Sequence, residues 1–597
     1  MSGLTLLCQG HPDVPEINLS KIAEFLGLKP NIVSIFASSS AGPDGIRNLP
    51  GKTDVLITTA DTLLCLIGGH SDDAAWSTLR SQLPAHLLVY GFEDSSAHAA
   101  LLRSVSGQTL SDVQSVQTAG ARVSVARDTQ KAWRQLSGVA FETALPGLQS
   151  VFRSSDIAAL AEPIVSIAQM PLFACAAGDP QTFLLAGENF PDLDQEVPRG
   201  VSVLEYFCGV APVMMFLRVA CPDAVWHNDL PSACFIVDDP PLKKRYGFLD
   251  FQKLVEAMQA ARFSTSIAFI PWNFDRTEKR VAETFKAHSE QLSLCVHGCD
   301  HLRGEFGAHD ANLLQEKAAR ALERMARHFE SSGVGFDDVM VFPQGIFSTA
   351  ALRALKDCHY LAAVNTSPYP VDAQNLSLRD LLDVAITRFS DFPLFTRRYP
   401  KNLPELAFDL FLGKPAFLVE HHGFFREGYQ SLTDTIRELY RIEPNLRWTN
   451  LAAICSQSSL KKAGPEGIVE VRFFTDRFSL RNEADRPQRY SLIRGPMFSP
   501  QQKSVTVNGR VADFVTDAGG IRVKISLDPG ETANVSLDFD KKAAPIRPAT
   551  DHLHEAKVFV RRSLSEFRDN YLDRSALLSK SARKRGAAKK PVSSARP

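Results

Sequence analysis

From Ser232 onward the chain alternates short apolar runs with amphipathic stretches. The apolar runs predict strands at Ala233–Val237, Ser264–Ile270, Leu292–Val296, Asp338–Phe342, Leu361–Val364 and Pro415–Val419. The stretches between them predict helices at Phe248–Ala261, Thr277–Ser289, Asn312–Ser332, Thr349–His359, Leu378–Val384 and Leu432–Ile442. In Asn312–Ser332, Leu314, Ala318, Leu322, Met325 and Phe329 form one stripe, and Gly333 stops the helix. Strands alternating with helices over residues 229–460 predict a distorted parallel β/α barrel.

The flanking regions have other textures. Residues 1–145 read as a small α/β domain, with strands at Asn31–Phe36, Asp54–Thr59 and His86–Tyr90 and a helix at Ser95–Ser104. This region has no GxGxxG and no P-loop, so no nucleotide site is expected there. Residues 146–228 form a mixed connecting region. Residues 461–545 alternate as a β-sandwich does. They include a hairpin at Ser504–Val507 and Arg510–Val515 turning on Asn508-Gly509, then strands at Ile521–Leu527 and Ala533–Phe539. Residues 546–597 read as a helical or disordered basic tail. The fold class is therefore α/β multidomain.

Composition narrows the options. A chain of 597 residues with 44% hydrophobic and 22% charged residues is neither disordered, collagenous nor coiled-coil. A formal net charge of −1 argues against electrostatic binding of nucleic acid by the protein as a whole. The average hides an asymmetry. Residues 575–597 hold Lys580, Arg583, Lys584, Arg585, Lys589, Lys590 and Arg596 and no acid, so the body is acidic. The runs Ile164–Ala177 and Val210–Ala220 are too short and too interrupted to predict a transmembrane segment. The first residues lack the pattern of a secretory signal, and the 10 Cys include no CxxC pair. Both features point to reduced thiols and a cytoplasmic location. The oligomeric state is not legible.

Polar residues gather where the barrel strands end. Asp238 and Asp239 follow the first strand, Trp272 and Asn273 the second, and His297 and His301 the third. Pro343 and Gln344 follow the fourth, Asn365 the fifth, and His421 and His422 the sixth. In a parallel barrel these ends share one face, where active sites sit. With 15 His in the chain, the His297-x3-His301 spacing says little alone. On a helical turn, i and i+4 imidazoles can share a metal ion. Adjacent carboxylates after a buried strand are costly without a cation or paired donors. Cys295 and Cys299 interleave with the histidines and leave a structural Cys/His zinc site as a rival. Strand alternation sends His421 and His422 in opposite directions, so one at most reaches the site. Arg303, with Asp300, Glu305 and His309, is either a substrate contact or part of a solvated loop.

These residues resemble the polysaccharide deacetylase family (NodB homology, carbohydrate esterase family 4) over about residues 230–455. Its Thr-Phe-Asp-Asp motif is matched by Ile236-Val237-Asp238-Asp239, and its His-x3-His motif by His297-Gly298-Cys299-Asp300-His301. Its Arg-x-Pro motif is matched by Val341-Phe342-Pro343, and its Leu-x-His strand end by Leu418-Val419-Glu420-His421-His422. The resemblance implies a metal-dependent hydrolase that removes acetyl groups from an N- or O-acetylated glycan or glycan precursor. Asp239, His297 and His301 would hold a divalent metal, zinc or else cobalt or nickel. Asp238 would be the general base, and His421, or alternatively His422, the general acid. Trp272, Asn273, Arg303, Pro343, Gln344 and Asn365 would contact the carbohydrate. Val341 stands where the family has the Arg that orients the base, so that group is missing or comes from elsewhere. The missing Arg and the extra domains motivate the alternative, a degenerate deacetylase that binds glycan or scaffolds polysaccharide assembly, with the β-sandwich as a recognition module. A further alternative is a carbon–nitrogen hydrolase with the same metal set and another product.

Overall fold

The computed structural model describes residues 3–35, 53–67, 73–127, 131–154, 161–176, 178–373, 375–495, 502–517, 520–539 and 552–572. Phe36 and the basic stretch 575–597 lie outside the described residues.

At the centre is an eight-stranded, all-parallel sheet that curls into a nearly closed barrel. Seven strands make the wall, numbered in chain order. They are β1 (Ser232–Asp238), β2 (Thr265–Phe269), β3 (Leu292–His297), β4 (Asp337–Val341), β5 (Ala362–Asn365), β6 (Leu394–Thr396) and β7 (Ala416–His421). Their order round the wall is β6-β5-β4-β3-β2-β1-β7. Arg398, just past β6, closes the circle. Its N–H donates to the Phe417 carbonyl (2.8 Å), and its carbonyl accepts from the Val419 N–H (2.9 Å). The eighth strand, Arg447–Trp448, pairs with the start of β1.

Both faces of these strands are apolar because both are covered. One face fills the barrel with Cys234, Ile236, Ala268, Cys295, Val339, Val341, Val364, Phe395, Phe417 and Val419. The other face packs Phe235, Val237, Phe269, Leu294, Val296, Met340 and Leu418 into the core shared with the surrounding helices. Side chains alternate along a strand. Continuing the inner set by two positions puts Asp238 above Ile236, His297 above Cys295, Arg397 above Phe395 and His421 above Val419. The alternation that builds the core thus also aims polar groups at one end of the barrel.

The N-terminal part is built on a nine-stranded mixed sheet. Five strands are parallel: Asn31–Ile35, Leu4–Gln9, Val55–Thr59, His86–Tyr90 and Gln181–Leu185. Antiparallel strands Met170–Ala176, Ala161–Ile167, Arg122–Val125 and Ala140–Glu142 extend the sheet. Much of the stretch that the sequence leaves mixed therefore belongs to this sheet.

The rest of that stretch includes the helix Phe207–Ala220, which is buried along most of its length. Phe216 meets Phe183 of the sheet (5.3 Å between ring centroids), and Phe207 meets Phe408 beside the barrel (5.2 Å). Among the described residues, Val203–Ala220 is the one span long and apolar enough to cross a membrane by composition. The span is longer than the run Val210–Ala220 because the turn Val203–Tyr206 leads directly into the helix. In the structure these side chains fill the core between sheet and barrel.

After the barrel, a five-stranded and a four-stranded sheet enclose Val471, Phe473, Leu492, Val505, Val523 and Val535 as a sandwich. The expected hairpin forms between Gln502–Val507 and Arg510–Ala512.

Asp337 opens β4 at the end of the barrel opposite the polar rim. Its carboxylate is buried and accepts from the Leu451 N–H (3.1 Å) and the Ser293 hydroxyl (3.4 Å). Burial pushes its pKa up to about 7. A carboxyl raised in the fold supports stability below the unfolded value of about 4, and that support is lost as pH rises through about 7. Asp337→Asn is therefore expected to flatten the fall in melting temperature between about pH 4 and pH 7. Thermal unfolding of the two proteins across that range checks it.

Candidate active site

Asp238, Asp239, His297, His301, Arg397 and His421 line one cleft of about 710 Å³ at the C-terminal ends of the barrel strands. Asp238 follows the strand alternation into the barrel mouth and is 2% exposed. Asp239 would face the other way, but its backbone adopts φ +82, which turns its carboxylate back into the mouth. Adjacent carboxylates thus enter one site from one strand.

Each has its own partners. Arg397 clamps Asp238 with two parallel bonds, Nη1 to Oδ1 and Nη2 to Oδ2, both 2.7 Å. The Arg397 Nε–H also donates to Thr366 Oγ1 (3.2 Å). Burial pushes the Asp238 carboxyl up, but the Arg397 guanidinium clamped to it outweighs this and holds it below the ordinary range. Asp238 is therefore anionic at neutral pH. Asp239 Oδ1 lies 3.2 Å from His297 Nε2 and 2.9 Å from His301 Nε2.

The His297–His301 segment is not the helical turn that the spacing suggests. His297 ends β3, and Gly298 (φ +66) and His301 (φ +59) make a tight loop. The buried Glu305 carboxylate clasps this loop. Its Oε1 accepts from the N–H groups of Cys299 (2.9 Å) and His301 (3.1 Å), and its Oε2 from that of Asp300 (3.1 Å). A Cβ at Gly298 would sit 2.1 Å from Glu305 Oε1 and 2.4 Å from Pro343 Cγ, so only glycine fits. His297 Nδ1 lies 3.0 Å from the Val341 carbonyl. A carbonyl only accepts, so Nδ1 carries the proton and Nε2 presents its lone pair to the cleft.

The donor set fits a divalent metal. Ligand atoms of Asp239, His297 and His301 lie within 4.8 Å of one another. Among the described residues, buried Asp239 Oδ1 faces only the two imidazole nitrogens, and the His297 Nδ1–H bond leaves Nε2 free to ligate. One carboxylate and two imidazoles suit zinc or a similar ion. Neither Cys295 nor Cys299 belongs to the cluster. Cys295 faces the barrel core, and Cys299 Sγ sits 3.4 Å from Arg324 Nη1. Burial raises both thiols, which disfavours the thiolate a zinc ligand needs.

The two C-terminal histidines part company. His421 Nε2 faces the cleft 4.0 Å from Asp238 Oδ2. His422 turns outward, lies against Phe248 (6.2 Å, near-parallel rings) and meets Tyr246 edge-on (5.2 Å). It does not line the cleft.

Of the expected carbohydrate contacts, Gln344 (φ +59) is on the cleft wall. The others are not. Trp272 lies under the Arg324 guanidinium (5.1 Å), and Asn273 is buried and bonded to Arg276. Arg303 is exposed away from the cleft, and Pro343 is buried against Gly298. Asn365 is buried and donates to the carbonyls of Gly345 (3.0 Å) and Ser367 (2.9 Å), shaping a cleft loop from behind. Position at a strand end is a good guide to the face and a poor guide to the direction of a side chain after the strand.

Two contributors, Arg397 and Arg199, lie outside the expected set, and Glu305 is neither the substrate contact nor the solvated loop residue expected of it. Arg397 directly follows β6, a three-residue strand after Pro393 that has too little apolar pattern to register. A barrel one strand short of closure is the signal that something pairs between β5 and β7. Glu305 is the clasp described above. Arg199 comes from the connecting region and forms cleft wall together with Tyr369.

No protein-family model and no curated protein sequence matches this chain. Among solved structures, it is similar to Agd3, described as a novel carbohydrate deacetylase, at 9% identity and TM-score 0.44, over 90% of this chain and 99% of that one. It is also similar to the family 4 carbohydrate esterase from Streptomyces lividans (11% identity, TM-score 0.23, 37% of this chain and 92% of that one). A family 4 pseudoenzyme from Bacillus anthracis gives 8% identity and TM-score 0.24, over 37% of this chain and 68% of that one. At these scores the likeness is one of outline, and the site's own residues carry the functional reading.

Removing Arg397 leaves the buried Asp238 charge unpaired. Arg397→Ala should lower stability by about 3–5 kcal/mol. Adding Asp238→Asn should recover much of that loss, a coupling readable from denaturant unfolding of the single and double variants.

Proposed function

We propose that this protein is a metal-dependent hydrolase that removes acetyl groups from an N- or O-acetylated glycan or glycan precursor. The observation that carries the proposal is the pairing of two differently held carboxylates at one barrel mouth. One is clamped by Arg397, and the other is aimed, with two imidazole nitrogens, at a common point.

Asp239, His297 and His301 would hold the metal. When bound, it supplies Lewis acidity, polarising an acyl carbonyl and making a nearby water easier to deprotonate. The chain's own residues account for the remaining steps. Asp238 stays anionic because Arg397 holds it, so it can accept the proton of the attacking water. Arg397 uses one lone pair of each oxygen and leaves the others free. The new bond joins the water oxygen to the acyl carbon. The bond that breaks joins that carbon to the sugar's nitrogen or oxygen. His421, beside Asp238 on the neighbouring strand β7 and facing the same cleft, is placed to give a proton to that leaving atom. The products are acetate and a free amine or hydroxyl. Cleft walls at Arg199, Gln344 and Tyr369 would bind the sugar.

The degenerate reading leaned on the loss of an Arg at position 341. Arg397, just past β6, provides a guanidinium for the base, which answers that motive; the extra domains are the motive that remains.

Zinc-loaded protein is expected to release acetate from at least one member of a panel of N- and O-acetylated oligosaccharides. Asp238→Asn should keep its zinc and lose about 10²–10⁴-fold in kcat. Asp239→Ala and His301→Ala should lose zinc together with activity, read by metal analysis of the purified proteins. His422→Ala should keep its zinc. Full zinc occupancy in Asp239→Ala and His301→Ala would sink the site. Zinc-loaded protein that releases no acetate from any of the panel would favour the binding or scaffold reading.

A further inference from the structure

The helix His552–Phe567 and the turn Arg568–Leu572 that continues it show reversed polarity. Their inward face is charged. Arg562, Glu566 and Asp569 are 4%, 9% and 3% exposed. Glu566 pairs with Lys243 (2.8 Å) and Arg276 (2.7 Å). Asp569 accepts from the Tyr246 hydroxyl, and Asn570 Oδ1 accepts from the Gly247 N–H (2.8 Å). These partners follow the C-terminal ends of β1 and β2, so the helix is strapped to the end of the barrel that holds the cleft.

The outward face is apolar. Leu553 is 77% exposed, Val560 56%, Leu564 65%, Phe567 53% and Tyr571 65%. Their spacing places them in one stripe along the helix. Each such side chain forgoes the favourable transfer from water that burial would give. A stripe of this length marks a surface that something covers.

The charge pattern says what. Lys557 and Arg561 border the stripe, whereas the described carboxylates of this segment, Glu566 and Asp569, point inward. The chain then runs into residues 575–597, which carry only basic charge. An apolar centre, cationic borders and a cationic continuation complement an anionic lipid surface. Acyl chains accept the stripe, Lys and Arg stems reach the headgroups, and the basic stretch adds long-range attraction. A second copy of the same helix would instead set like charges against each other.

We propose that this C-terminal segment docks the protein on an anionic lipid surface. The claim is independent of the cleft's chemistry, and its test does not use activity.

The full-length protein is spun with vesicles of phosphatidylcholine containing about 30% phosphatidylglycerol, and with phosphatidylcholine alone. The expected result is ~10-fold or greater preference for the anionic vesicles, weakening with added salt. The double variant Val560→Glu/Leu564→Glu should lose this binding with an unchanged melting temperature, because both side chains already face solvent. Lys557→Glu/Arg561→Glu, which leaves the apolar stripe intact, should lose the anionic preference. Equal recovery of the protein and its variants would overturn the proposal. So would concentration-dependent dimerisation that Val560→Glu/Leu564→Glu abolishes, with no vesicle binding, since that gives the stripe to a second copy.

Discussion

Adjacent carboxylates at the end of a fully buried strand set the terms for this molecule. Asp238 and Asp239 cannot both stay charged in a barrel mouth without separate compensation. The fold compensates them differently. Asp238 follows the strand alternation and meets the planar fork of Arg397. Asp239 breaks the alternation with a left-handed backbone and meets two imidazole nitrogens. The first arrangement is complete within the protein. The second converges lone pairs on one point, which is what a cation requires.

This constraint ties the site to the way the barrel closes. Arg397 reaches Asp238 because β6 fills the gap beside β5, and Arg398, the next residue, bonds to β7. The segment that completes the wall therefore also completes the site. The outer parts serve the same mouth. Glu305 holds the His301 loop from within the barrel domain, and Arg199 brings a wall from the connecting region. The C-terminal helix borders His422, with Asp569 Oδ1 3.8 Å from His422 Nε2.

Much of this was legible in the sequence where physical periodicity is strong. The apolar runs of β1 to β5 and β7 stand out because each is buried, and the stripe of Asn312–Ser332 because Leu314, Ala318 and Met325 are, although its last member Phe329 is exposed. The ligand candidates stood out because polar pairs at strand ends are costly without a purpose. β6 was not legible, because three residues between Pro393 and two arginines carry too short a pattern, and with it went Arg397. Trp272, Asn273 and Asn365 sit at the expected strand ends but turn into the protein, since direction after a strand is set by loop backbone that alternation does not govern. The reversed polarity of His552–Phe567 was hidden as well, because a sequence stripe alone does not tell which face meets the protein.

The central claim is that Asp239, His297 and His301 share one ion while Asp238 stays with Arg397. Anomalous diffraction at the zinc edge, from crystals grown with zinc, tests it most directly. The account predicts one strong peak within about 2.0–2.2 Å of an Asp239 carboxylate oxygen and of Nε2 of both histidines. The Asp238–Arg397 pair should be intact beside it. A zinc peak on Cys295 or Cys299, or no peak among these three residues, would contradict it.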